Sequence, residues 1–172
     1  MNIIRYPKRE DWTSITERPQ LDTSTLNATV SNILGDIKAN GDEAVRKYEE
    51  MFDHVRLDSL AVSEEDIEEA WNSVPTELRQ AIELAHANIS SFHEAQHFNG
   101  VKVETAPGVT CWQKSVPIEK VGLYIPGGTA PLFSTVLMLA TPARIAGCRE
   151  IVLCTPPDRN GNVNPAILVA AR

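Results

Sequence analysis

Apolar residues in the first hundred positions recur at helical spacing. Leu26, Val30, Ile33, Leu34 and Ile37 fall on one side of a helix, and the stripe stops at Asn40-Gly41, a natural helix terminator. Asp42 then caps a short second helix carrying Ala44, Val45, Tyr48 and Phe52. Ser63-Glu64-Glu65-Asp66 has the form of a capping box with Asp in place of Glu or Gln, and it predicts a helix through Ile67, Ala70 and Trp71. Pro75 suits the first position of the next helix, whose apolar face is Leu78, Ile82, Ala85, Ile89 and Phe92. All of these read as packing helices with acidic outer faces.

After Asn99-Gly100 the period drops from that of a helix to that of a strand. Val101, Val103 and Thr105 alternate with Lys102 and Glu104, Pro107-Gly108 marks a turn, and Val109-Thr110-Cys111-Trp112 completes a hairpin-like pair. The apolar run Val121 to Ile125 is short enough for a buried strand and breaks at Pro126-Gly127-Gly128 into a helix from about Leu132 to Ala146. Gly147 terminates that helix, Ile151 to Cys154 forms a second strand, and Pro165 opens a further helix running to Arg172. Pro142, inside the helical run, predicts a kink or an end at Thr141. The pattern defines an α/β protein in three parts: an acidic helical region, 1–100; a hairpin-like connection, 101–120; and an incomplete Rossmann-like, parallel β-loop-α-β nucleotide-binding unit, 121–172.

Composition narrows the function classes. The chain has 172 residues, 42% of them hydrophobic, enough to build the core of one ordinary domain. Its longest apolar stretch, Leu132 to Ala140, is interrupted by Ser134 and Thr135 and followed by Pro142 and Arg144, far from the roughly 20 apolar residues of a membrane span. Met1 to Glu10 lacks the apolar segment of a signal peptide, so a cytoplasmic location is expected. The net charge of −7 divides unevenly: the first hundred residues carry 9 Lys+Arg against 19 Asp+Glu, the remainder 7 against 4. No basic stripe results, and Trp12, Trp71 and Trp112 stand apart from basic residues, so nucleic-acid binding is disfavoured. Cys111, Cys148 and Cys154 are an odd number without C-x-x-C spacing, which reads as three reduced, buried small hydrophobes.

Two constellations could carry chemistry. In open α/β sheets, ligands bind outside the carboxyl ends of the strands, where Gly127 and Gly128 would let backbone N–H groups approach an anion at a helix N-terminus. G-x-G-x-x-G is absent and no Walker lysine follows, so the spacing supports a ligand loop and no more. Tyr124, at the end of the strand, could stack on or hydrogen-bond a cofactor, or pack as an ordinary strand aromatic. Thr129, Ser134 and Thr135 could cap the helix, donate to phosphate, or do both. The second constellation is His93-Glu94-Ala95-Gln96-His97, a literal H-E-x-x-H on a predicted helix. The third histidine of the longer metalloprotease pattern would fall at Val103, and no histidine follows His97, so no metal site is expected.

The run V-G-L-Y-I-P-G-G-T-A-P-L-F-S-T-V-L-M-L-A-T-P-A-R-I-A-G-C, followed by I-V-L-C-T-P-P, closely resembles the histidinol dehydrogenase family. The resemblance extends upstream through Gly41-Asp42-Glu43-Ala44-Val45, Ile89-Ser90-Ser91-Phe92-His93 and Val116-Pro117-Ile118, and so covers nearly the whole chain. It implies a zinc-dependent, NAD-linked oxidation of L-histidinol through the aldehyde to L-histidine, in a homodimer. Tyr124 carries over as a contact to NAD, with Gly127 and Gly128 allowing close backbone approach. The family's zinc ligands and its Glu-His catalytic pair lie in sequence that follows the point where this chain stops, so the resemblance assigns no catalytic residue and no metal ligand here. Family members are considerably longer. The end at Ala170-Ala171-Arg172, early in a new amphipathic segment, favours an N-terminal portion that is inactive alone over a catalytically silent binding or regulatory domain. A portion of a related dehydrogenase for another small alcohol is a third reading.

Overall fold

Residues 3–18, 23–128 and 130–172 are described by a computed structural model, and the chain divides into two compact units, 1–45 and 46–172. In the first unit, a 3₁₀ turn at Arg9–Asp11 leads into α1 (Trp12–Thr16), an element absent from the sequence pattern. The indole N–H of Trp12 donates to the carbonyl of Pro7 at 3.3 Å. Helix α2 (Ser24–Asn40) ends as expected at Gly41, whose φ of +56° suits glycine. Its stripe departs from expectation: Leu26, Val30 and Leu34 are exposed, and α2 buries none of its residues. Amphipathic spacing specifies which face is apolar; it does not specify that a partner covers that face.

Helix α3 (Asp42–Tyr48) passes into a π-helical turn at Glu49–Asp53, closed by His54 in the left-handed region at φ +58°. The single helix expected through Phe52 therefore changes type, although Tyr48 and Phe52 still stack with ring centres 5.8 Å apart. Beyond it, the Arg46 guanidinium donates to the carbonyls of Leu57 and Asp58 and holds the following loop.

In the second unit, α4 (Glu64–Ser73) starts at the capping box read from sequence. The Asp66 N–H donates to the Ser63 hydroxyl oxygen and the Ser63 N–H to the Asp66 carboxylate, both at 3.1 Å. The Ser63 hydroxyl, and then its N–H, hold the Asp66 carboxyl below its ordinary value. Helix α5 (Thr76–Glu94) follows Pro75, and Arg79 on its first turns donates to the carbonyl of Trp71 at 2.9 Å. Strands β1 (Lys102–Ala106) and β2 (Val109–Trp112) form the expected antiparallel hairpin, with an irregularity between Glu104 and Ala106 and every residue exposed. Strands β3 (Lys120–Tyr124) and β4 (Glu150–Cys154) form a separate parallel pair, joined through α6 (Phe133–Ala146); β4 leads to α7 (Pro165–Ala171), capped by the Asn164 side chain.

Helix α6 organises the core. Val136, fully buried, packs with Ile125 and Ile167; its neighbour Leu137 packs with Val74, Ile82 and Val169. Phe133 and Ala170 touch both clusters and join them. Leu78, Ala85 and Ile89 of α5 pack here as expected, whereas Phe92 is exposed, because α5 has run past the core by that point. Pro142 does not end α6 at Thr141. The helix continues to Ala146, since Pro142 removes one hydrogen bond, to the carbonyl of Met138, while burial of Val136, Leu137 and Thr141 holds the helix in place. The cysteines are free, but Cys111 and Cys154 are exposed and only Cys148 is partly covered, because the first two lie on strands with open faces.

Two adjacent residues of α6 should respond very unequally to truncation. Leu137→Ala leaves a void between α5, α6 and α7 and is expected to cost about 2–5 kcal/mol. Met138→Ala, at a site 52% exposed, should stay within about 0.5 kcal/mol of the parent. Urea unfolding of the two variants measures the difference.

Candidate functional site

The parallel register pairs Tyr124 directly with Cys154, so the carboxyl ends of β3 and β4 lie side by side. One residue further, the Ile125 N–H donates to the Cys154 carbonyl at 2.9 Å, and the Ile125 side chain is fully buried. Alternation across the strand then forces the preceding side chain outward. Tyr124 is 63% exposed, and among the described residues its hydroxyl has no hydrogen-bond partner. Tyr124 thus takes no part in the core of this chain.

The turn Pro126-Gly127-Gly128 leaves the sheet at this point. Gly128 has φ +152°, which side-chain-bearing residues rarely adopt, and a Cβ built there would meet nothing within 4 Å. Gly127 has no positive φ, yet a Cβ on it would lie 2.6 Å from Cγ of Pro156. Glycine is thus required at the two positions for different reasons, backbone conformation at Gly128 and steric room at Gly127. Sequence spacing showed the glycines but not Pro156, whose only signal was the Thr155-Pro156-Pro157 run after β4.

Helix α6 begins beyond the turn with Leu132 at its cap position and no side-chain cap. Ser134 and Thr135 lie within its first turn and do not cap it, because a cap must precede the helix. Thr129 lies outside the described residues. An exposed phenol, a glycine backbone open on one side and an uncapped helix start together fit a flat cofactor that also carries anionic groups.

The H-E-x-x-H segment does not lie on one helix. Helix α5 ends at Glu94, and the chain turns through Ala95 and Gln96, with N–H groups of Gln96 and His97 donating to the carbonyls of His93 and Glu94. His93 Nδ1 is 2.8 Å from the Gln96 side-chain oxygen. The one-turn spacing that lets two histidines share an ion is lost with the helix. Among the described residues, no three His, Cys, Asp or Glu side chains are grouped to hold a metal. The Glu49 carboxyl is pushed above its ordinary value by burial and then by the Asp53 charge, but it belongs to the π-helical turn. A shallow hollow of about 360 Å³ lies on the hairpin beside Trp112 and Gln113 and includes none of the turn residues.

A helical region followed by a parallel β-α-β unit with an open glycine turn places the chain among mixed α/β proteins. The histidinol dehydrogenase family model matches residues 16–172. A histidinol dehydrogenase of Bacteroides fragilis is 63% identical over all 172 residues of this chain, and one of Bacteroides thetaiotaomicron is 60% identical over the same span. The crystal structure of histidinol dehydrogenase from Elizabethkingia anophelis matches 96% of the chain with a TM-score of 0.90 at 47% identity, and 38% of that protein is covered. The chain belongs to the histidinol dehydrogenase family, a family of oxidoreductases. It spans about 40% of the length of the curated relatives it matches. No helix among the described residues is long and apolar enough to cross a membrane.

Because α5 ends at Glu94, His93 and His97 are expected to hold no ion of their own. After dialysis, the purified chain is expected to retain no stoichiometric zinc, and His93→Ala should leave its metal content unchanged; elemental analysis makes the comparison.

Proposed function

We propose that this chain is the N-terminal portion of a histidinol dehydrogenase, a cytoplasmic, homodimeric enzyme of histidine biosynthesis that oxidises L-histidinol through the aldehyde to L-histidine with two NAD. The supporting observation is the exposed Tyr124 at the carboxyl end of β3, followed by an open glycine turn, in a chain 63% identical to a histidinol dehydrogenase.

In this reading residues 1–100 are a helical support, 101–120 a connection, and 121–172 the part that meets the cofactor. NAD, when bound, supplies the hydride acceptor, used once in each oxidation. Tyr124 offers it an aromatic face and a hydroxyl free to hydrogen-bond. Gly128 offers a backbone with no side chain in the way, and Gly127 keeps that backbone close to the end of β4. The buried Ile125 fixes the direction in which Tyr124 points, so less orientation entropy remains to be lost on binding. The residues described here do not fit zinc, and no step is assigned to the metal in this chain. Substrate positioning, proton transfer and metal binding fall to the remainder of the enzyme.

The 172-residue chain alone is therefore expected to form no NADH from L-histidinol and NAD in a spectrophotometric assay; clear protein-dependent NADH formation would contradict the division of labour. In the complete enzyme, Tyr124→Phe should raise KM for NAD by about threefold to tenfold, the worth of one hydrogen bond, and Tyr124→Ala should raise it further. The melting temperature should be nearly unchanged in both. A large loss of melting temperature with unaltered NAD kinetics would assign Tyr124 to packing instead.

A further inference from the structure

The two loops that leave the carboxyl ends of β3 and β4 interlock at one point. A Cβ on Gly127 would stand 2.6 Å from Cγ of Pro156, whereas ordinary contacts begin near 3.4 Å, so one side would have to retreat by about 0.8 Å. Pro156 can yield only by a change of ring pucker at Cγ, not by swinging away. Its ring locks its own φ, and Pro157 after it confines Pro156 to extended backbone, as Pro156 does to Thr155. The Thr155 hydroxyl oxygen beside it is sealed from solvent and, among the described residues, has no hydrogen-bond partner. On the other side, the turn is tied at Ile125 by the bond from its N–H to Cys154 and by complete burial of its side chain. The close approach therefore fixes where Gly127 sits, three residues after Tyr124, the last residue of β3.

We propose that Pro156 is a positioning residue for the cofactor turn: its ring is the stop against which Gly127 rests, and that contact sets the placement of Gly128 and the start of α6. The proposal rests on the cofactor reading given above. It accounts for glycine at position 127 without appeal to a left-handed backbone, which Gly127 does not have. It also makes a specific geometric statement. The built Cβ lies 3.7 Å from Cβ of Pro156, an ordinary contact, so the clash comes from Cγ alone. Pro156→Ala removes that atom and leaves room for alanine at 127.

The test is a double-mutant cycle in the complete enzyme, with KM for NAD, kcat and melting temperature read for Gly127→Ala, Pro156→Ala and the pair. Gly127→Ala is expected to raise KM for NAD about tenfold, as a sub-ångström misplacement of a binding group does, with kcat changed less than about threefold. The double variant should return to within about threefold of Pro156→Ala alone. A Gly127→Ala enzyme that fails to fold while the double variant folds supports the same contact. A double variant as impaired as Gly127→Ala, or one that also fails to fold, would overturn the proposal, because the added methyl would then offend something other than the ring. Rescue of melting temperature alone, with KM for NAD untouched by every variant including Tyr124→Ala, would discard the cofactor reading. The positioning role would fall with it, and a purely structural contact would remain.

Discussion

The core of the second unit depends on one helix facing two ways. Val136 and Leu137 are consecutive, so they point about 100° apart around α6, and both are buried. One faces Ile125 and Ile167, the other Val74, Ile82 and Val169. The parallel strands and helices α4, α5 and α7 thus share a single scaffold. Without α6, the two-stranded sheet would have little to pack on, since a pair of strands is marginal in water by itself. The same helix starts a few residues beyond the glycine turn, so a helix that carries the core begins shortly after an exposed tyrosine.

Local signals in the sequence matched the structure closely wherever they were self-contained. Asn40-Gly41, the Ser63–Asp66 box, Pro107-Gly108 and Gly147 each satisfy or end an element using atoms a few residues apart, and each sits where the pattern placed it. Failures arose where the outcome depended on distant residues. The stripe of α2 is genuine, but coverage of a stripe is a tertiary fact. Phe92 continues a helical face beyond the reach of the core that defines it, and Pro142 is tolerated because packing on α6 outweighs one lost hydrogen bond. The helix expected to carry the whole of H-E-x-x-H likewise stops short, at Glu94.

The candidate site was legible in part for the same reason. Alternation along β3 is local, so the opposite fates of Tyr124 and Ile125 follow from a single strand. The demand for glycine at 127 is not local. It comes from a proline in another loop, brought close only when β3 and β4 pair in register, and no reading of P-G-G by itself distinguishes it from a conformational glycine.

Trp71 gives this core an optical signature. The guanidinium groups of Arg79 and Arg172 lie over its ring at 5.0 and 4.8 Å, and Arg172 also pairs with Glu68 at 3.2 Å. Helices α4 and α5 and the end of α7 therefore meet at one indole, while Trp12 and Trp112 are exposed and sit on other elements. Indole emission depends on nearby charge and on solvent access. The emission of Trp71, isolated by replacing the other two with phenylalanine, becomes a native reporter for whether the last helix is seated, separable from global unfolding and requiring no attached dye.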